Sequence, residues 1–307
     1  MGFFWLIGFI VIAALQVLIF FFWKDAKFWT LPNAIVLIVC IISYGHFRFE
    51  KLVHDETNTI LNSIPTSEEK IVSEKDFKGL PTPVKNWLLH SGIVGKPQIR
   101  FGKVLQHAEM KLKPEQEDWY RATAVQYSTI EIPAFIWSVG VKMNRILSFQ
   151  GRDKLENGKG EMLIKLNALF TIVDEKGPKL DEGSLQRFLG EMVWFPSLAM
   201  SPYIQWKEVN STTAIATMDF QGTKGSGTFY FNPQGDFTKF SALRYKDNVA
   251  NAKRYEWVLL VEEYKTFAGI KVPSKMTATW KLENMDWTWL KLEILDIQYN
   301  ESSRKLN

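Results

Sequence analysis

The sequence predicts an α+β chain that is mainly β: an N-terminal two-helix transmembrane hairpin, then a curved, half-barrel-like antiparallel sheet covered by one or two helices. Three observations predict it. Two uncharged apolar runs lie back to back at the N-terminus, period-two alternation dominates from about residue 107 onward, and only two helical periodicities occur in the soluble part. The divisions that follow are a transmembrane helical hairpin over residues 1–47, a juxtamembrane helix and linker over 48–76, and an antiparallel β-rich soluble domain over 77–307.

Residues 2–23 carry no charge, and only Gln16 among them is strongly polar. As a helix these 22 residues reach roughly 33 Å at about 1.5 Å per residue, enough to cross a bilayer core. Lys24, Asp25, Ala26 and Lys27 interrupt, and a second uncharged run over 28–47 closes at Arg48. A cleaved signal peptide would need a basic start and a small-residue cleavage site; Met1-Gly2-Phe3-Phe4-Trp5 and Phe20-Phe21-Phe22-Trp23 supply neither. Aromatic clusters at Phe3 to Trp5, Phe20 to Trp23, and Phe28 and Trp29 suit the membrane interfaces. Gln16 and Cys40 fall mid-span, where helix–helix contact accommodates them. Lys24 and Lys27 in the loop balance Arg48 and Lys51 beyond the second run, so flanking charge leaves the orientation open. The only cysteine lies in a span, and cysteine usage says nothing of the compartment.

A net charge of +4, spread among mixed charges, gives no support to nucleic-acid binding. Over residues 48–64, Val53, Ile60, Leu61 and Ile64 fall near one helical face, and the polar stretch 65–70 is a linker. Thr82 suits a helix N-cap with Pro83 at the first position; Val84, Trp87 and Leu88 form the apolar side, and Gly92 stops the helix. Strands then dominate. Ala108, Met110 and Leu112 alternate with polar neighbours, and Phe135, Trp137, Val139, Val141 and Met143 share one face. Asn157-Gly158 marks a hairpin. One helix interrupts, with Leu185, Phe188, Leu189 and Met192 at helical spacing after Ser184 as N-cap, and with Pro196 and Pro202 ending it. Ala214, Ala216, Met218 and Phe220 resume the alternation, turns fall in 222–227 and 232–235, and Met276, Ala278, Trp280 and Leu282 form the clearest strand. In the last strand the apolar phase switches between Ile294 and Leu295, which predicts a bulge. The arrangement is a meander with one polar, wet face and one face rich in Trp, Phe and Met.

Catalytic and metal signatures are lacking in the sequence. His54, His90 and His107 stand far apart, no Gly-x-Ser-x-Gly elbow occurs, and residues 222–227 lack the Walker spacing. Glu262 and Glu263 point to opposite strand faces, and Arg152 with Asp153 suits a turn ion pair after a strand. Arg187 and Glu191 are an i, i+4 pair on the one clear helix. The expectation is a protein that is not an enzyme and uses no cofactor.

Leu80-Pro81-Thr82-Pro83-Val84, Trp87-Leu88, 91–97, Trp119, Gln126-Tyr127, Gly151-Arg152-Asp153, and 185–191 running into Trp194-Phe195-Pro196 together resemble a bacterial family of membrane-anchored proteins of unknown function. Residues 264–274, with Gly269, Val272 and Pro273 before a long final hairpin, are similar to lipoprotein carriers of the LolA type. That second resemblance implies a half-barrel under a helical lid, an apolar acyl-chain ligand and an extracytoplasmic location. The expected function is therefore a membrane-anchored binding protein with an apolar cavity for a lipid or lipoprotein acyl chain. Its ligand contacts would be Trp119, Phe135, Trp137, Arg187, Glu191, Trp194 and Phe195. The alternative is a structural or interaction module that recruits an envelope protein without a small ligand.

Overall fold

A computed structural model describes residues 4–66 and 68–301; Phe3 of the first aromatic cluster and Ser67 of the linker lie outside the described residues. Two long helices begin the chain. Helix α1 covers Phe4–Phe21, a single turn α2 covers Trp23–Ala26, and α3 covers Thr30–Asn62. α1 and α3 pack antiparallel: Asn33 donates to the Ile12 carbonyl at 3.3 Å and to Gln16 Oε1 at 3.1 Å, and Trp5 meets Tyr44 with ring centroids 4.8 Å apart. Gln16 and Cys40 both lie at this contact, where the absent side chain of Gly8 makes room for the Cys40 sulfur.

The helices depart from two equal spans joined to a separate juxtamembrane helix. Among the described residues one helix, Trp23–Asn62, is long and apolar enough to cross a membrane, and the apolar helix before it, Trp5–Phe21, is shorter. α3 does not stop at residue 47. No helix breaker stands between Phe47 and Asn62, and the amphipathic face seen in the sequence continues the same helix. Its later turns bury Phe49 against Leu163 and Ala168, and Ile60 against Ala134 and Ile136. One stretch of the sheet's supposedly wet face is therefore covered.

Residues 70–72 already pair with the β domain: Val72 N–H donates to the Lys96 carbonyl at 2.9 Å and Gly95 N–H to the Val72 carbonyl at 2.8 Å. Helix α4 covers Thr82–Ser91 and ends on Gly92 at φ 75°. Thr82 is not its side-chain cap, because the Glu208 carboxylate takes the Thr82 backbone N–H at 2.8 Å.

Six strands follow: β1 Phe101–Met110, β2 Tyr120–Thr129, β3 Ala134–Lys142, β4 Ser148–Glu156, β5 Lys159–Leu166 and β6 Phe170–Lys176. Helix α5, Pro178–Gly190, and two short 3-10 turns over Glu191–Trp194 and Pro196–Met200 lead to seven more. These are β7 Ile204–Asn210, β8 Thr213–Phe220, β9 Thr223–Phe231, β10 Phe237–Tyr245, β11 Arg254–Phe267, β12 Ile270–Lys281 and β13 Asp286–Tyr299. Each pairs antiparallel with its neighbours in one 13-stranded sheet of order β6-β5-β4-β3-β2-β1-β13-β12-β11-β10-β9-β8-β7. The sheet is a half-barrel built from two meanders joined at β1 and β13.

The curvature follows from the contacts. Nine steps separate β5 from β9 in that order, about 43 Å in a flat sheet at about 4.8 Å per step. Yet α5 packs on both β5 and β9, and Thr223 Oγ1 donates to the Gly158 carbonyl at 2.8 Å across the two hairpin tips. Bulges assist the bend. Leu105 pairs with Asp296 and Gln106 with Ile294, so Leu295 is the extra residue at the predicted phase switch.

α5 starts at Pro178, not after Ser184: Pro178 occupies the first turn with Asp181, and Ser184 is buried inside the helix beside Gly160. Leu185, Phe188 and Leu189 face the sheet, with Phe188 stacked on Phe135 at 6.4 Å between centroids. Gly227 of β9 is required by close approach, since a Cβ there would run into the Phe240 ring. Gly227→Ala should cost about 1–3 kcal/mol through overpacking; thermal denaturation followed by circular dichroism checks this, and an unchanged midpoint would contradict the packing.

Candidate functional site

The concave face of the sheet is not filled by α5. A cavity of about 670 Å³ remains between the helix, the β3–β6 half and the β10–β13 half, bounded by the 245–249 loop. Its wall is largely aromatic and aliphatic. Trp257 pairs with Trp280 across β11 and β12, and Trp280 pairs with Trp287 across β12 and β13, so three indoles form a row across three strands. On β13 Thr288 pairs with Thr279 and Leu290 with Ala278, so Trp289 sits at a bulge and lines the cavity beside Leu290, and Met276 and Leu292 complete this side.

The polar part centres on Arg187. Its Nη1 donates to Asp153 Oδ2 at 2.6 Å, its Nε to Glu191 Oε1 at 2.8 Å and its Nη2 to Gln126 Oε1 at 3.3 Å. Gln126, fully buried, donates to Glu191 Oε2 at 2.7 Å and Ser128 Oγ at 3.1 Å. The guanidinium also lies 4.9 Å from the Phe135 ring centroid and 4.7 Å from that of Trp137. Burial alone would lower the Arg187 pKa, but Glu191 and Asp153 outweigh it and hold it above its ordinary value. Burial raises Asp153 above its ordinary value, with the Glu191 charge adding to it and the arginines opposing. Arg187 is thus a charge-paired strut from α5 to β4 and β2.

Arg244, on β10, is the opposite case. Its guanidinium stacks over Trp257 at 4.2 Å and over Trp280 at 5.6 Å, and its Nε has no hydrogen-bond partner among the described residues. Burial, and after it the Arg187 charge, pull its pKa down to about 9, so it remains a cation at neutral pH.

Of the residues expected to contact a ligand, Trp137, Arg187, Glu191 and Trp194 line the cavity together. Phe135 is fully buried against Phe188 and Arg187. Phe195 faces away, with its ring against Tyr299 and filling the space beside Gly102. Trp119 is not part of the lining and is held between Lys111 and Lys291. Arg152 and Asp153 do not form a turn pair. Both lie within β4 and face opposite sides, Arg152 meeting Glu56 of α3 at 3.0 Å on the convex face. Sequence reasoning missed Arg244 and the grouping of Trp257, Trp280 and Trp287. The period-two spacing of Trp287 and Trp289 was visible, but the register that sets Trp257 beside Trp280 was not. Among the described residues no group of three or more His, Cys, Asp or Glu could hold a metal ion.

Fold and cavity together define a single-sheet half-barrel protein with one helix across its concave face. The chain belongs to the family of unknown function DUF6544, which it matches over residues 70–292. No curated protein shows a significant match. Among solved structures, it is similar to a LolA superfamily protein from Nitrosomonas europaea, at 10% identity, TM-score 0.38, and coverage of 73% of this chain and 96% of that one. It is also similar to a β-barrel-like protein of the domain of unknown function DUF1849 from Brucella abortus, at 7% identity, TM-score 0.26, and coverage of 66% and 99%.

Arg187→Met should destabilise the domain by about 3–5 kcal/mol, because Asp153 and Glu191 are left as buried charges without their cation; urea denaturation measures it. Asp153 binds its proton more tightly folded than unfolded, so its contribution is most favourable at low pH and is lost as pH rises from 3.8 through the folded value. The stability of the natural protein relative to Asp153→Asn should therefore fall across that window. A pH-independent difference would contradict the assignment.

Proposed function

We propose that this chain is a membrane-anchored binding protein that holds a lipid or acyl chain in the cavity between its sheet and α5. The observation that carries the reading is the indole-walled cavity, whose 670 Å³ and largely apolar wall suit a small amphiphile. Catalysis draws no support from the site, since Asp153, Arg187 and Glu191 spend their hydrogen bonds on one another. The anchor reading rests on α1 and the first half of α3, whose outer faces expose Phe21 at 78%, Leu31 at 70% and Ile38 at 57%. We read both helices as membrane-embedded and the domain as extracytoplasmic, on the resemblance of residues 264–274 to envelope carriers.

A second reading, an interaction module for another envelope protein, draws on edge strand β6, which exposes Phe170 at 66% and Ile172 at 57%.

Ala278 lines the cavity, so Ala278→Trp should fill it. In native mass spectrometry the purified full-length protein is expected to retain a lipid-mass adduct that this variant loses. An adduct unchanged in Ala278→Trp would place the lipid elsewhere, and none in either protein would favour the interaction module. For topology, a secreted-phosphatase fusion at the C-terminus is expected to be active; an inactive fusion beside an active cytoplasmic reporter would overturn the extracytoplasmic placement.

A further inference from the structure

The cavity reading leaves the chemistry of the ligand's polar end open, and the wall speaks to it. Four buried nitrogens on cavity-lining side chains have no hydrogen-bond partner among the described residues: Arg244 Nε, Trp257 Nε1, Trp287 Nε1 and Trp289 Nε1. All four are donors, and indole and guanidinium have no acceptor to offer. Among the described residues no buried side-chain acceptor lining the cavity is left unmet. Buried donors without partners are costly and uncommon, so four on one wall point to acceptors arriving with a ligand.

Charge points the same way. Arg187 already has two carboxylates as partners and a third bond to Gln126. Glu182, on the helix beside Arg244, is gripped by Arg254 through both oxygens. No carboxylate among the described residues forms an ion pair with Arg244, although the Trp257 and Trp280 rings hold its guanidinium in place. The carboxylates that act on Arg244, Glu191, Asp153 and Glu182, are each hydrogen-bonded to another arginine, and a cation so fixed in an aromatic wall is a site for an anion.

We propose that the cavity selects an anionic amphiphile, whose carboxylate or phosphate oxygens accept from Arg244 and the neighbouring indoles while its apolar chain lies along the Trp, Met and Leu wall. The proposal rests on the cavity reading above and adds the sign and acceptor character of the headgroup.

The test is isothermal titration calorimetry of the full-length chain in phosphatidylcholine nanodiscs, with empty discs as reference. The probes are decanoate, decyl phosphate, decanol, decyltrimethylammonium and inorganic phosphate. Decanoate and decyl phosphate are expected to bind at least about tenfold more tightly than decanol, the worth of a charge-assisted hydrogen bond. Decyltrimethylammonium should bind most weakly, and inorganic phosphate alone should bind far more weakly than decyl phosphate. Arg244→Gln should bring decanoate to within about twofold of decanol and leave decanol unchanged. Equal binding of decanoate and decanol by the natural protein, or a preference that survives in Arg244→Gln, overturns the inference and leaves the cavity reading standing. Inorganic phosphate binding as tightly as decyl phosphate overturns the amphiphile in favour of a free-anion site. Binding of no decyl compound overturns both readings. The comparison among probes on the natural protein needs no variant to fold.

Discussion

A guanidinium reaching from a helix to a sheet holds the middle of this molecule. Arg187 leaves α5, meets Asp153 on β4 and Gln126 on β2, and is backed by Glu191 one turn along. Burying these charges costs several kcal/mol per ion, and only a saturated geometry recovers it. That geometry leaves α5 little freedom to slide or tilt. The helix spans from β4 and β5 to β9 and β10, fastened on the first side by Arg187, while the aromatic row of β11–β13 stands opposite, and the space between them is the cavity. A helix of 13 residues cannot fill the concave face of a 13-stranded sheet.

Local periodicity made much of the fold legible. The alternation of Phe135, Trp137 and Val139, the Asn157-Gly158 turn and the phase switch at Leu295 each record a constraint that acts within a few residues. Helix starts were less legible, because Pro178 and Asp181 form a first turn with little apolar period, while Glu208, distant in sequence, caps Thr82. The site was legible where one element carries it: Arg187 and Glu191 are a turn apart. It was not legible where strand register assembles it. Trp257 and Trp280 become neighbours only through β11–β12 pairing, and Arg244 joins them from a third strand. Trp119 misled because an aromatic residue near a strand end satisfies itself with two lysines.

The continuity of α3 changes the meaning of the N-terminal helices. A separate juxtamembrane helix and linker would let the domain tumble. Instead one helix carries apolar surface in its first half and domain contacts in its second, with Glu56 meeting Arg152 at 3.0 Å and Lys154 at 3.3 Å. Arg152 and Asp153 thus serve opposite faces of one strand, the first fastening α3 outside and the second fastening α5 inside. Through β4 the helix proposed to cross the membrane and the helix that bounds the cavity are tied to adjacent residues. The orientation of the cavity relative to α3 is therefore built into the fold.

The central claim is that the aromatic wall opposite α5 is a binding surface and not the far side of a closed core. Hydrogen–deuterium exchange of the full-length chain, with and without decanoate, tests it most directly. The account predicts slowed exchange confined to β11–β13 and the 245–249 loop, with α5 already protected by its own network. Unchanged exchange throughout, or protection confined to edge strand β6, would contradict it.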